Sequence, residues 1–438
     1  METDKTTLND LAIFNAEEDF SVFNYLDCTL TTNGKDQLRK NLSTPLNGME
    51  AIVAIQNTVR LIDQKKDQWP KQISNGTIMV IERYYNTTID SLPRQVSAWD
   101  ALSYKLFHGP DYSLVKYSVT HCFDFVKGMK ALIKLLSVND CPLPLQRLLT
   151  QAEKIVDIEH FNSVDKYSKV AEMPVPLQLQ LAQYLRFQYK IPMLELVFIH
   201  AQLDAWWGMA MAMQKHGLVF PEFIESNEPF FEVKGLYHLL LDAPIPYDIS
   251  LNRKGNFLFL TGANMAGKST FIKSVGTAVF LAHTGMGVPA GKMQLSVFDG
   301  LLSNINVVDN IARGESYFFN EVQRIKATVS KVNDGRKWLI LIDELFKGTN
   351  VQDAMKCSLA VIEGLLKIKN SLFILSTHLY EIGEELKVYP NIHFNYFETS
   401  VEDGQLSFSY QLKDGVSNDR LGYLILKREG VVKMLEDL

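Results

Sequence analysis

Eight residues constrain this chain more than any other stretch. Gly262-Ala263-Asn264-Met265-Ala266-Gly267-Lys268-Ser269 fits G-x-x-x-x-G-K-[ST], with Thr270 next. The run Phe257 to Leu260 before it reads as a strand, and Thr270 to Leu281 after it reads as a helix. A strand, this loop and a helix in that order are the context the motif requires. The glycines let backbone N–H groups curl around phosphate oxygens, and the helix N-terminus adds partial positive charge. Lys268 would reach the β- and γ-phosphates, and the Ser269 hydroxyl would ligate Mg²⁺. The segment Gly262 to Thr270 therefore reads as a nucleoside triphosphate site.

A second element supports that reading. Leu339-Ile340-Leu341-Ile342 is an apolar strand ending in the adjacent carboxylates Asp343 and Glu344. Asp343 at the strand's end can hold Mg²⁺ beside the phosphate loop, and Glu344 can orient and deprotonate an attacking water. A third apolar strand, Leu372 to Leu375, ends in Ser376-Thr377-His378. A histidine at a strand's C-terminal edge can bond the γ-phosphate and sense its loss. Lys268 and Asp343 are too far apart in sequence for one crossover helix. The gap holds a helix, a β-rich stretch from Val297 to Val308 and a second helix opening at Gly314-Glu315-Ser316. In ATPases of the ABC type, such a helix start completes the site of a partner subunit.

The rest of the chain sets the frame. Its 438 residues suggest two or three domains, and 47% hydrophobic with 21% charged residues is ordinary globular composition. From about 20 to 230 the apolar spacing is helical, as in Met49-Ile52-Ile55-Val59-Ile62 and from Val115 to Leu136. Ile191 to His216 reads as one long helix, with Pro192 in its first turn and Gly217 as its stop. From about 231 short β-rich runs alternate with helical segments, which argues a parallel α/β sheet. The expected plan is an extension over 1–20, a helical domain over 21–230 and an α/β domain over 231–438. Net charge is −6, with 22 basic and 23 acidic residues from Glu232 onward and 22 and 27 before it, so neither half is strongly basic. The four cysteines form no C-x-x-C pair, the N-terminus does not resemble a secretory signal, and no run is apolar enough to span a membrane. The expected location is cytoplasmic.

The chain resembles the DNA mismatch-repair MutS family. Thr261 to Thr270 resembles that family's T-G-P-N-M-G-G-K-S-T, and Asp343-Glu344-Leu345-Phe346-Lys347-Gly348-Thr349-Asn350 resembles D-E-I-G-R-G-T-S. Ser376-Thr377-His378-Leu379-Tyr380-Glu381 resembles A-T-H-Y-F-E. Gly314-Glu315-Ser316-Tyr317-Phe318 resembles G-R-S-T-F, with Asp309 and Asn310 as the D-[DN] before it. Tyr410 to Ser417 resembles the strand and turn late in that domain. Upstream, Ser21 to Asp27, Thr31-Thr32-Asn33-Gly34 and Leu38-Arg39-Lys40 resemble the S-L-F-x-x-L-D, T-x-G and L-R-x-W that open the family's core lever domain.

The resemblance implies a fold and an activity. The fold is a helical core and lever domain followed by a P-loop, ABC-type ATPase domain. The activity is Mg²⁺-dependent ATP hydrolysis driving a homodimer between open and closed states on DNA. Glu344 and His378 are the implied catalytic residues, and Ser269 and Asp343 the metal ligands. Gly262 to Thr270 hold ATP, Ser316 reaches the partner's ATP, and Tyr247, shortly before the loop, is the aromatic expected to stack on adenine. The family's mismatch-recognition and connector domains do not fit in the twenty residues before the core motif, so direct mismatch reading is not expected unless partner chains supply those domains. The rival reading is an ATP-dependent scaffold or partner-binding switch that does not touch DNA. A small-molecule kinase would leave Ser316, Glu344 and His378 without roles.

Overall fold

The computed structural model describes residues 1–14, 20–87, 92, 97–157, 161, 166–306, 317–402, 405–417 and 430–436. The chain divides into two compact units that do not follow its order. One gathers Met1–Tyr25, Thr44–Val53 and His216–Leu438, and the other Leu26–Ser43 and Ala54–Lys215. Helices α1 to α10 cover Lys5–Asp10, Val22–Leu26, Thr32–Ser43, Met49–Lys65, Asn75–Asn86, Ala98–Phe107, Gly109–Leu136, Leu143–Val156, Val175–Phe187 and Lys190–His216. No described helix is long and apolar enough to cross a membrane.

In the helical unit the long helix α7 packs against α5, α6, α8 and α9. Val115, Val119, Val126, Met129, Ile133 and Leu136 of α7 are buried, as the spacing predicts. In α10, Pro192 stands in the first turn, where its missing N–H costs nothing. Asp204 of α10 is fully buried and satisfied: its carboxylate accepts from Leu30 N at 2.8 Å, Thr31 N at 2.9 Å and Thr31 Oγ1 at 2.6 Å. A Cβ on Gly34 would sit 2.0 Å from Asp204 Oδ2, so only glycine lets α3 approach that carboxylate.

The other unit carries two sheets. Strands β1 to β10 run Glu222–Phe223, Phe230–Leu236, Tyr247–Asn252, Phe257–Thr261, Lys292–Leu295, Gly300–Asn304, Trp338–Asp343, Ser371–Ser376, Ile392–Glu402 and Gln405–Asp414. Helices α11 to α15 cover Lys268–Ala282, Tyr317–Val332, Val351–Leu365, Glu381–Leu386 and Val431–Glu436. The larger sheet has the order β10-β9-β4-β8-β7-β6, parallel throughout except for the β10–β9 pair. Every residue of β4, β7 and β8 is buried. Such unbroken apolar runs belong to parallel strands covered on both faces. The smaller sheet, β1-β5-β2-β3, contains strands that texture alone did not separate from loop.

The N-terminal residues, expected to be an extension, are part of the sheet-bearing unit. Leu301 N donates to Glu2 O at 2.9 Å, so residue 2 continues the sheet beyond its edge strand β6. The buried Asp10 accepts from Ser303 Oγ, from Ile305 N at 3.0 Å and from Asn306 N at 3.1 Å. Arg324 of α12 reaches Asn304, Ser303 O and Thr6 and pairs with Asp4 at 3.2 Å. The contacts of Asp10, Asp4 and Thr6 with these residues span some 300 residues of sequence, which is why composition could not reveal them.

Candidate active site

Sheet register assembles the site. Leu260 of β4 pairs with Ser376 of β8, and Ser376 pairs with Asp343 of β7, so three strands end level with one another. Their ends carry the phosphate loop, Asp343-Glu344 and Thr377-His378. Clefts at the carboxyl ends of parallel strands are where such sheets bind ligands. A cavity of about 700 Å³ lies there, walled by the loop, Glu344, Lys347, Tyr247, Ile245 and Tyr410 among others.

The loop has backbone angles that most side chains avoid. Gly262 has φ of 140° and Gly267 φ of 109°, and Met265 adopts φ of 69° with an exposed side chain. Gly267 is also the N-cap of α11. A backbone curled in this way turns N–H groups inward as an anion nest. Lys268 is buried, and its ammonium donates to Gly262 O at 2.7 Å and Ala263 O at 3.0 Å. Burial lowers its pKa, and nearby Glu344 and Asp343 pull it back up.

Asp343 is held from both sides. Ser269 Oγ donates to one carboxylate oxygen and Ser376 Oγ to the other. Glu344 N donates to Ser376 O at 3.0 Å, which fixes where the chain leaves β7. The Glu344 carboxylate lies 3.2 Å from Lys347 Nζ and 3.6 Å from His378 Nδ1. Burial would raise its pKa, but His378, Lys347 and Lys268 outweigh that and hold it down to about 2. Glu344 and Phe346 both have φ of 60°, a left-handed conformation that costs roughly 1–2 kcal/mol for a residue with a Cβ. Such strain persists where surrounding contacts over-determine it.

The residues fit a triphosphate with a hard divalent ion. Among the described residues no cluster of three or more His, Cys, Asp or Glu side chains could hold a metal alone. Mg²⁺ is commonly bound by one or two protein oxygens, with phosphate oxygens and water completing its shell. The adjacent oxygens of Ser269 and Asp343 match that donor set.

Comparison with known proteins agrees with this geometry. Residues 258–435 match MutS domain V. The DNA mismatch repair protein MutS of Pseudothermotoga lettingae is 32% identical over 233 residues, which is 52% of this chain and 28% of that protein. The MutS of Halalkalibacterium halodurans is 27% identical over 325 residues, 72% of this chain and 36% of that protein. The DNA mismatch repair protein MSH3 of Candida glabrata is 28% identical over 317 residues, 70% of this chain and 30% of that protein. The chain is similar to MutS proteins over this domain and upstream of it. It spans between 28% and 36% of the length of these three relatives.

Against the MutS motifs, this chain departs at positions that touch the site. Phe346 stands where D-E-I-G-R-G-T-S has glycine, although its backbone is left-handed. Lys347 stands at the motif's arginine and supplies the cation beside Glu344. Ser376 stands at the alanine of A-T-H and bonds Asp343. Lys347 and Ser376 both lie inside the motifs, but the bond of Ser376 to Asp343 depends on the register of β7 and β8. Tyr247 forms part of the cavity wall, yet only 7% of it is exposed and its ring meets Phe271 and Phe397 edge to face. Its ring is largely enclosed by these neighbours, which leaves little of it for a base to stack on. Tyr410 is the more exposed aromatic of that wall, at 41%, on a bulge of β10 with φ of 52°. Asp309, Asn310, Gly314, Glu315 and Ser316 lie outside the described residues.

Proposed function

We propose that this chain is a MutS-like, Mg²⁺-dependent ATPase whose nucleotide state switches a homodimer acting on DNA. The observation that carries the reading is the convergence of Lys268, Ser269 and Glu344 on one cavity at level strand ends, with Asp343 bonded to Ser269 at its edge. Lys268 would exchange its two carbonyl partners for phosphate oxygens. Ser269 and Asp343 would hold Mg²⁺, which neutralises phosphate charge and templates in-line displacement when bound. Glu344 would orient water and take its proton. His378 and Lys347, now facing Glu344, would gain a competing anion in the γ-phosphate, and the carboxylate they release would become more basic. Tyr410 and Ile245 offer surface to the base. By resemblance, Ser316 of a second copy would complete the site.

Charge distribution supports DNA as the substrate of the switch. Counted by folded unit, the helical unit carries 21 Lys and Arg against 17 Asp and Glu, while the sheet-bearing unit carries 23 against 33. The near-neutral halves of the sequence hid this, because the acidic N-terminal residues belong with the sheets. Lys116, Lys127, Lys130 and Lys134 fall on one stripe of α7 at helical spacing. Filter binding to homoduplex, mismatched and branched DNA at several salt concentrations, with and without ATP, tests the reading. A phosphate interface loses affinity steeply as salt rises. Salt-insensitive or absent binding would leave the ATP-driven scaffold as the function.

A further inference from the structure

The strained turn after Asp343 has an anchor that neither the motifs nor the proposed chemistry include. Glu321, in the second turn of α12, is 4% exposed. Its carboxylate accepts from Lys347 N at 3.1 Å through one oxygen and from Gly348 N at 3.2 Å through the other. These are consecutive N–H groups of the turn that carries Glu344. Three residues from Glu321, Phe318 of α12 packs its ring against Phe346, with centroids 5.7 Å apart. Phe346 is the residue whose left-handed backbone turns the chain between Glu344 and Gly348. Lys347, whose N–H is held by Glu321, sends its own ammonium to Glu344. One acidic side chain thus grips the backbone of the same residue that grips the proposed base.

A buried carboxylate needs such partners. Burial raises the Glu321 carboxyl above its ordinary range, and the N–H groups of Lys347 and Gly348, the Lys347 charge and the N–H of Phe346 oppose that rise. No cation pairs with it at contact distance among the described residues. Its bonds to Lys347 and Gly348 both go to one turn, the turn that carries Glu344. We propose that Glu321 is a positioning residue for ATP hydrolysis, fixing the turn 344–348 so that Glu344 faces the γ-phosphate. It acts through Glu344 and touches neither nucleotide nor metal.

The inference rests on the ATPase reading, and its test separates the two. Glu321→Gln keeps the size but offers one acceptor oxygen and an amide that repels the second N–H. ATP affinity by calorimetry and steady-state turnover are measured on the full chain and the variant. The expected result is a turnover number lower by at least tenfold with ATP affinity within twofold, because the phosphate loop, Ser269 and Asp343 are untouched. Should that variant fail to fold, Glu321→Asp, which withdraws the carboxylate by one methylene, is judged by the same two numbers. Unchanged turnover in a folded variant overturns the inference, and so does a parallel loss of affinity and turnover, which would make Glu321 a support for the whole site. A parent chain that binds no ATP would instead sink the ATPase reading.

Discussion

The ammonium of Lys268 is folded onto its own loop, 2.7 Å from the Gly262 carbonyl oxygen. Without a phosphate it is a buried cation, satisfied by two neutral carbonyls and depressed in pKa chiefly by desolvation. Charge-assisted bonds to phosphate are worth about 1.5–3 kcal/mol, so Lys268→Ala is expected to weaken ATP binding at least tenfold. The unliganded fold should not suffer, since the variant also removes the cost of burying a charge. Calorimetry with ATP and a urea melt without it check both halves. Unchanged affinity would count against the site itself.

Glu344 separates a hydrolase from a nucleotide binder. Glu344→Gln keeps the side chain's size and cannot take a proton. General-base help contributes about 10²–10⁴-fold, so turnover should fall at least about a hundredfold while ATP still binds. If ATP closes a dimer, this variant should also accumulate as an ATP-bound dimer in sedimentation, and Lys268→Ala should not. Turnover within a few-fold of the parent would place the base elsewhere. Lost turnover without a gain of dimer would uncouple hydrolysis from assembly.

The motifs made the candidate site residues stand out because the proposed phosphate chemistry would demand particular residue types at short spacing. Gly262, Gly267, Lys268, Asp343 and Glu344 could all be read along the chain, and so could the fully buried strands that end at them. What stayed hidden was set by register and distance. Ser376 meets Asp343 only because β7 and β8 are aligned residue for residue. Asp10 finds Ser303 across nearly three hundred residues, and this contact joins the first helix to the sheet. Tyr247 was the natural aromatic by position, but Phe271 and Phe397 claim its ring.

Ser376 allows a test of that register. Ser376→Ala restores the residue of the A-T-H motif and removes one donor to the buried Asp343 carboxylate. A bond to a charged group is worth about 1.5–3 kcal/mol, and that much stability should be lost without Mg²⁺. With Mg²⁺ and nucleotide present the loss should shrink, since the metal can take the vacated oxygen. Urea melts in the two conditions decide it. An equal loss in both would mean that the hydroxyl does not share its partner with the metal.

Phe346→Gly would likewise restore a family residue, and here two effects oppose. Glycine removes a left-handed penalty of roughly 1–2 kcal/mol. It also deletes an aromatic ring that is 4% exposed and packed on Phe318, and such truncations cost about 3–5 kcal/mol. Packing wins, so the variant should be less stable by about 1–4 kcal/mol in denaturant melts. A more stable variant would show that strain dominates at this turn.

His283 is one source of acid sensitivity in the sheet-bearing unit. It is fully buried, with Nδ1 2.8 Å from Val279 O and Nε2 2.9 Å from the N–H of Phe298. Only the neutral ring fits: Nδ1 donates to the carbonyl and Nε2 accepts from the amide. Burial pushes its pKa down to about 3 from 6.5, against the pull of the Val279 carbonyl. The unfolded chain therefore binds a proton that the folded chain refuses between pH 6.5 and 3. The stability this neutral ring contributes is complete above pH 6.5 and is lost as pH falls towards 3. The slope approaches about 1.4 kcal/mol per pH unit, so roughly 2–3 kcal/mol should disappear by pH 4.5. His283→Gln retains an acceptor for Phe298 and does not titrate. It should be the less stable protein at pH 7, with a stability gap that narrows as pH falls to 4.5 in urea melts. A gap that stays constant across that range would mean the ring is protonated without cost, and a different group would have to account for any acid unfolding.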